Sequence, residues 1–304
     1  MPTGPTGGPV LVVGAAGKTG RAVTAALRAR GVPVRAAIRP GRVASAPAGT
    51  DAVPVDLATG AGLEAALDGC RAAYHLAPNV HPDEVGMARR VAAAARVTGL
   101  PHLVFHSVLH PDDPRMPHHL RKAEAERILR GLHRSTCRDH DEYCGVAGDV
   151  GRALGVVVLR PAAYHENLLA QVLDGEVVLP YSDGSPFSTV ALGDVAEAAA
   201  TVLLDPGHGG EVLDLAGPEV LTTAAMVEQA AEVLGRPVRI VRTTPAAWAA
   251  GPGAGLDPVR REALRAMFAA YDEDGLVGDP ADLAALLGRS PTPWRDTVAT
   301  AAAR

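Results

Sequence analysis

Val10-Leu11-Val12-Val13-Gly14-Ala15-Ala16-Gly17-Lys18-Thr19-Gly20-Arg21 decides the fold. A short apolar, mostly β-branched run enters three glycines spaced G-x-x-G-x-x-G. A helical pattern follows over roughly Thr19–Arg30, with Val23, Ala26 and Leu27 on one face. Strand, tight turn and helix in that order are the frame of a dinucleotide site. Gly14 takes the sharp turn, Gly17 admits backbone N–H groups to a pyrophosphate, and Gly20 lets the helix pack on the strand. Ala16, Lys18 and Thr19 complete the turn. The positive end of the helix then faces the phosphates.

Working outward, strands and helices alternate. Strands are expected at Val32–Ile38, Val53–Asp56, Ala72–Leu76, Leu103–Ser107 and Val156–Leu159. Between them, helices are expected at Leu63–Leu67, with Gly69 ending it, and at Pro82–Thr98 and Pro117–Leu129. Such alternation specifies an α/β fold with a Rossmann-type, doubly wound parallel sheet. Ligands bind beyond the carboxyl ends of its strands, which directs attention to Arg39, Asp56, Ala77, Ser107 and Pro161. We expect a nucleotide-binding domain over 9–160 and a smaller α/β substrate lobe over 161–304, with Glu211–Leu215 returning to the main sheet. In the second part, Ser188–Val190 reads as extended, and helices are expected at Asp194–Leu204, capped by Asp194, at Thr222–Leu234 and at Arg261–Tyr271. Asp272-Glu273-Asp274-Gly275 lacks the remaining spacing of a calcium loop and reads as a turn.

Arg39 stands where an NAD enzyme carries an acidic residue for the ribose 2′-hydroxyl. An arginine instead offers paired donors to a 2′-phosphate, and Lys18, Arg35 and Arg42 add positive charge. The expectation is NADP(H) in preference to NAD(H); the alternative is a solvated loop arginine.

Composition fits one compact enzyme. The chain has 304 residues, 47% hydrophobic and 21% charged, which is globular rather than disordered. A net charge of −5 points away from nucleic acid and from anionic membranes. No apolar run approaches the ~20 residues of a membrane span, and Met1–Pro9 lacks the pattern of a signal peptide. Three cysteines without secretory context fit a reduced, cytoplasmic setting.

The segments VVGAAGKTGR, VRAAIRP, VDLATGAGLEAALDGC, AAYHLAPNVHPDE, GLPHLVFHSVLHP, MPHHLRKAEAERIL, VVVLRPAAYHENLL and VALGDVAEAAATVLL follow in order. So does LDLAGPEVLTTAAMVEQAAEVLGRPV. Together they resemble the NmrA-like branch of the atypical short-chain dehydrogenase/reductases, from Val10 to about Trp294. The resemblance implies site roles. Asp56 and Leu57 would lie on the adenine side, and Ala77 and Pro78 beside the nicotinamide ribose. Ser107 would sit where the superfamily often has a catalytic Ser or Thr. The superfamily's Tyr-x-x-x-Lys falls at His118-x-x-x-Lys122: the tyrosine is replaced by His118, and Lys122 would hold the nicotinamide ribose. His118 is then either a proton donor or an ordinary polar residue of a first helical turn. Asn79, Tyr164 and Asn167 would meet the substrate, Tyr164 is a further candidate for proton donation, and Asn167 is equally suited to bracing a helix.

Gly131–Arg152 interrupts the pattern as an insertion. It carries His133, Cys137, His140 and Cys144, one stripe if helical and of zinc-binding types, but the spacing matches no named zinc motif. We expect a polar loop, no bound metal and a role away from hydride transfer.

The expectation is an NADPH-dependent oxidoreductase acting on a small electrophile such as a quinone, enone or aromatic ketone, possible as a homodimer. The competing expectation is a catalytically weak NADP(H)-binding redox sensor that reports to a protein partner. Retained Lys122 favours the first, and the missing tyrosine favours the second.

Overall fold

The computed structural model describes residues 7–133 and 154–303. The strands β1 (Val10–Val13), β2 (Val34–Ile38), β3 (Asp51–Pro54), β4 (Ala72–His75), β5 (His102–His106) and β6 (Gly155–Pro161) alternate with helices. These are α1 (Lys18–Ala29), α2 (Leu63–Leu67), α3 (Glu84–Val97) and α4 (Pro117–His133). The second part of the chain holds α5 (Leu169–Asp174), β7 (Glu176–Leu179), β8 (Pro186–Phe187), α6 (Leu192–Leu204), β9 (Val212–Leu215) and β10 (Leu221–Thr222). It continues with α7 (Thr223–Leu234), β11 (Arg239–Arg242), α8 (Pro245–Ala250), α9 (Pro258–Asp274), α10 (Ala281–Leu287) and α11 (Trp294–Ala302).

Among the described residues, seven strands form one sheet in the order β3-β2-β1-β4-β5-β6-β9. Every pairing in it is parallel. The continuous apolar runs follow from this: both faces of the sheet are covered, so alternation gives no advantage. Val10, Val12, Tyr74, Val104 and Leu159 face α1 and α6. Leu11, Val13, Ala73, Phe105 and Val158 face α2, α3 and α4. A third core gathers Val172, Leu179, Met226 and Trp294. As expected, β9 closes the sheet beside β6.

Several boundaries differ from expectation. β3 starts at Asp51 because that residue pairs in register with Arg35 and accepts from its Nε at 2.9 Å. Helix α4 continues through Gly131 to His133, so the start of the supposed insertion is helical. Residues 134–153, with Cys137, His140 and Cys144, lie outside the described residues. Asp194 is not the cap of α6, which begins at Leu192; its buried carboxylate instead accepts from Arg289 and from the backbone N–H and hydroxyl of Thr292. Extended Ser188–Val190 is replaced by β8 two residues earlier, with Val190 bridging Tyr164. Asp272–Asp274 form the last turn of α9, and Glu273 and Asp274 pair with Arg115.

Candidate active site

The glycine turn is built as its spacing requires. Gly14 has φ +78°, open to glycine at little cost. A Cβ on Gly20 would stand 2.2 Å from the Gly14 carbonyl oxygen, so only hydrogen fits where α1 crosses the turn. Gly17 caps α1 without a side-chain hydrogen bond, and the first turn holds no acid. The N–H groups of that turn are thus left for an anion. These observations fit a dinucleotide pyrophosphate.

The strands β1, β2, β4, β5 and β6 end their carboxyl edges on one cavity of about 1020 Å³. All the site residues expected from sequence line it except Gly20, which packs beneath it. These are Gly14, Ala16, Gly17, Lys18, Thr19, Arg39, Asp56, Leu57, Ala77, Pro78, Asn79, Ser107, His118, Lys122, Tyr164 and Asn167. Arg39 and Arg42 sit exposed at the rim. Arg35 does not belong there: it lies near the amino end of β2, held by Asp51 and the carbonyls of Ala66 and Asp68.

Side-chain commitments then separate the candidates. The Ser107 hydroxyl donates to Glu126, and Arg160 grips the same carboxylate with its NH2 at 2.6 Å. That buried arrangement ties β5, α4 and β6 together and turns the hydroxyl away from proton transfer. Asp56 is also self-engaged. Its carboxylate accepts from the Ala58 N–H and the Thr59 hydroxyl, and these bonds, the Ala58 one first, hold its pKa below the usual range. Lys122 contacts Glu84 at 2.7 Å, donates to the His106 carbonyl at 2.8 Å, and lies 5.1 Å over the Phe105 ring. Lys18 donates to Asn167 Oδ1 at 3.0 Å and stands 5.3 Å over the Tyr164 ring. Burial lowers its pKa, partly offset by Glu166. His118 stacks edge-on against His119 at 4.5 Å. Burial, then the charges of His119, Arg121 and Lys122, push its pKa down to about 3. Burial thus favours the uncharged imidazole at neutral pH, which speaks for the ordinary polar residue over the proton donor of the two alternatives.

Sequence reasoning missed a group one residue before Ser107. His106 is buried on the last position of β5, and Tyr164 OH lies 2.9 Å from its Nε2. Its Nδ1 meets the hydroxyl of Tyr74, which has no solvent exposure. Burial, then Lys122, holds the His106 pKa at about 3. Burial places the Tyr164 pKa well above its ordinary value. The signal was present. Tyr74 pairs with Val104 across β4 and β5, so alternation brings Tyr74 and His106 to one face. Glu84 was missed as well, because nothing in sequence foretells that the first residue of α3 meets Lys122.

The other arm of the cavity is aromatic. The chain holds only 3 Phe, 5 Tyr and 2 Trp, yet Tyr164, Tyr181, Phe187, Trp248, Phe268 and Tyr271 all line this one space. Phe187 and Tyr271 meet edge to face at 5.3 Å, Trp248 and Phe268 at 4.7 Å, and Tyr181 stacks on Phe268 at 6.0 Å. Beyond Asn167 the described lining residues include no Asp, Glu, Lys, Arg or His.

Comparison with known proteins agrees with this geometry. The model of the NmrA-like family matches residues 7–285. A (4-alkanoyl-5-oxo-2,5-dihydrofuran-3-yl)methyl phosphate reductase of Streptomyces griseus is 31% identical over 237 residues, covering 76% of this chain and 75% of that protein. An NAD(P)H azoreductase of Xenophilus azovorans is 28% identical over 278 residues, covering 88% and 89%. The crystal structure of an NADPH-dependent quinone oxidoreductase of Escherichia coli in complex with NADPH superposes with a TM-score of 0.77 at 23% identity, covering 96% of this chain and 99% of that one. From its glycine turn to α10, the chain belongs to the NmrA-like family.

Proposed function

We propose that this protein is an NADPH-dependent oxidoreductase that delivers a hydride to a neutral, planar, conjugated electrophile such as a quinone, enone or aromatic ketone. The observation that carries this reading is one cavity lined both by the glycine turn and by six aromatic side chains. When bound, NADPH supplies the hydride. The turn from Gly14 to Gly20 would hold its pyrophosphate, and Arg39 with Arg42 would meet the 2′-phosphate. Asp56 and Leu57 would flank the adenine, and Ala77 and Pro78 the nicotinamide ribose. Lys122 would hold that ribose, its ammonium fixed by Glu84 and the His106 carbonyl. Asn79 and Asn167 would border the substrate. Aromatic walls recognise a flat ring through stacking and edge contacts rather than charge.

We further infer a division of labour between 9–160 for the nucleotide and 161–304 for the substrate, and association as a homodimer. The test is NADPH consumption, followed by absorbance, with neutral naphthoquinones, enones, aromatic ketones and an anionic enone phosphate. Turnover of neutral acceptors, with NADPH favoured over NADH, is the expected result. Tight NADPH binding with no turnover of any acceptor would favour the sensor reading.

A further inference from the structure

Tyr74, His106 and Tyr164 form a chain whose direction is fixed from its buried end. Tyr74 has no solvent exposure, and its hydroxyl meets one polar partner among the described residues, His106 Nδ1. A buried hydroxyl that donates to nothing loses its hydrogen bond without replacement, so the Tyr74 O–H donates to Nδ1. A neutral imidazole carries one N–H. That hydrogen therefore sits on Nε2, which lies 2.9 Å from the Tyr164 oxygen and must donate to it. The Thr19 hydroxyl, at 3.5 Å, approaches the same oxygen. Two donors thus face the Tyr164 oxygen, and its own hydrogen is left to point into the cavity. Lys18 over the ring, anchored by Asn167, keeps the phenol in place.

We propose that Tyr164 is the hydrogen-bond donor to the substrate oxygen that gains negative charge during reduction, and that Tyr74 and His106 are positioning residues that set its donor direction. The proposal rests on the hydride-transfer reading above. As the hydride's electron pair forms the new C–H bond, the carbonyl π pair moves onto oxygen, where the Tyr164 O–H meets it. The oxyanion takes its proton from solvent on release, which completes a two-electron addition of one hydride and one proton. Tyr164 stays protonated throughout and adds no acid limb of its own to the pH profile.

The test has two readouts. In protein labelled with ¹⁵N-histidine, long-range ¹H–¹⁵N spectra report the His106 tautomer without any substrate, the signal being assigned by its loss in His106→Gln. The expected state is neutral, with hydrogen on Nε2. In Tyr74→Phe the fixed tautomer should give way to a mixture. With a naphthoquinone acceptor, Tyr164→Phe should lower kcat about 10²-fold, the usual effect of losing one oxyanion donor, while NADPH affinity measured by fluorescence stays unchanged. Tyr74→Phe should lower kcat several-fold with KM for NADPH unchanged. A hydrogen found on Nδ1, or full kcat in Tyr164→Phe, overturns the proposal. If no acceptor is reduced even by the unaltered protein, the functional reading falls instead, and the tautomer still decides whether the Tyr164 hydroxyl is free to donate.

Discussion

At the scale of single residues, identity and role part company wherever burial intervenes. His118 falls where the family resemblance places a catalytic tyrosine, yet burial lowers its pKa to about 3 and opposes its charging between pH 5 and 9. His118→Phe is expected to leave the pH profile of turnover in that range unchanged; loss of an imidazole-like limb in the variant would restore it as the acid. We propose that Arg39, exposed at the rim of the cavity, carries the cofactor preference. Arg39→Asp should weaken NADPH about ten- to a hundred-fold, the measure of a lost charge-assisted bond of about 1.5–3 kcal/mol, and leave NADH almost unaffected. Titration of both cofactors checks this, and equal losses would show that Arg39 does not read the phosphate. Beyond its proposed contact with the nicotinamide ribose, the Lys122 ammonium neutralises buried Glu84. Lys122→Ala should reduce NADPH affinity and also lower stability by about 3–5 kcal/mol, the usual cost of stranding a buried charge. Denaturant unfolding without cofactor separates the two effects.

At the scale of elements, the glycine turn is the least tolerant. A methyl at Gly20 meets Gly14 backbone rather than a movable side chain. Gly20→Ala should therefore push α1 off β1, costing about 1–3 kcal/mol of stability together with most of the NADPH affinity; retained binding in a calorimetric titration would contradict this geometry. The same turn explains why the first half of the fold was readable. Residues 10–21 state strand, turn and helix in three consecutive patterns, and the strands that follow are apolar throughout. The second half was less legible. Elements such as β7, β11 and α8 are only 4 to 6 residues long and too short to express a period. The edge strand β3 is half exposed and blurred its own start. At the site, most lining positions followed from counting to the ends of strands. The Tyr74–His106–Tyr164 chain and the Lys122–Glu84 pair did not, because each depends on side-chain direction across elements far apart in sequence.

At the scale of the whole molecule, buried imidazoles make the fold sensitive to acid. His75 and His106 lie almost wholly out of solvent, and burial first, then Lys122, lowers each from 6.5 to about 3. The unfolded chain takes up these protons below pH 6.5 and the folded one does not, so stability that is intact above pH 6.5 drains away as pH falls toward 3. Each ring costs about 1.4 kcal/mol per pH unit across that window, or about 4 kcal/mol for the pair at pH 5. Denaturant melts at pH 7.5 and pH 5 should show at least that loss, since His118 and His165 are lowered in the same direction, and His75→Leu should flatten the slope between them; an unchanged slope would mean that the ring at 75 does not resist protonation. The sheet imposes a further condition, on how the chain is made. β6 is hydrogen-bonded on one side to a strand already synthesised and on the other to β9, which is separated from it by α5, β7, β8 and α6. A growing chain that has just emerged past Pro161 therefore exposes an apolar strand edge until some fifty more residues are made, on the order of several seconds of translation. During that interval nascent chains on neighbouring ribosomes present one another with matching open edges, which makes this stretch of synthesis the point where a holdase chaperone, or slower spacing of ribosomes, would most improve the yield of folded protein.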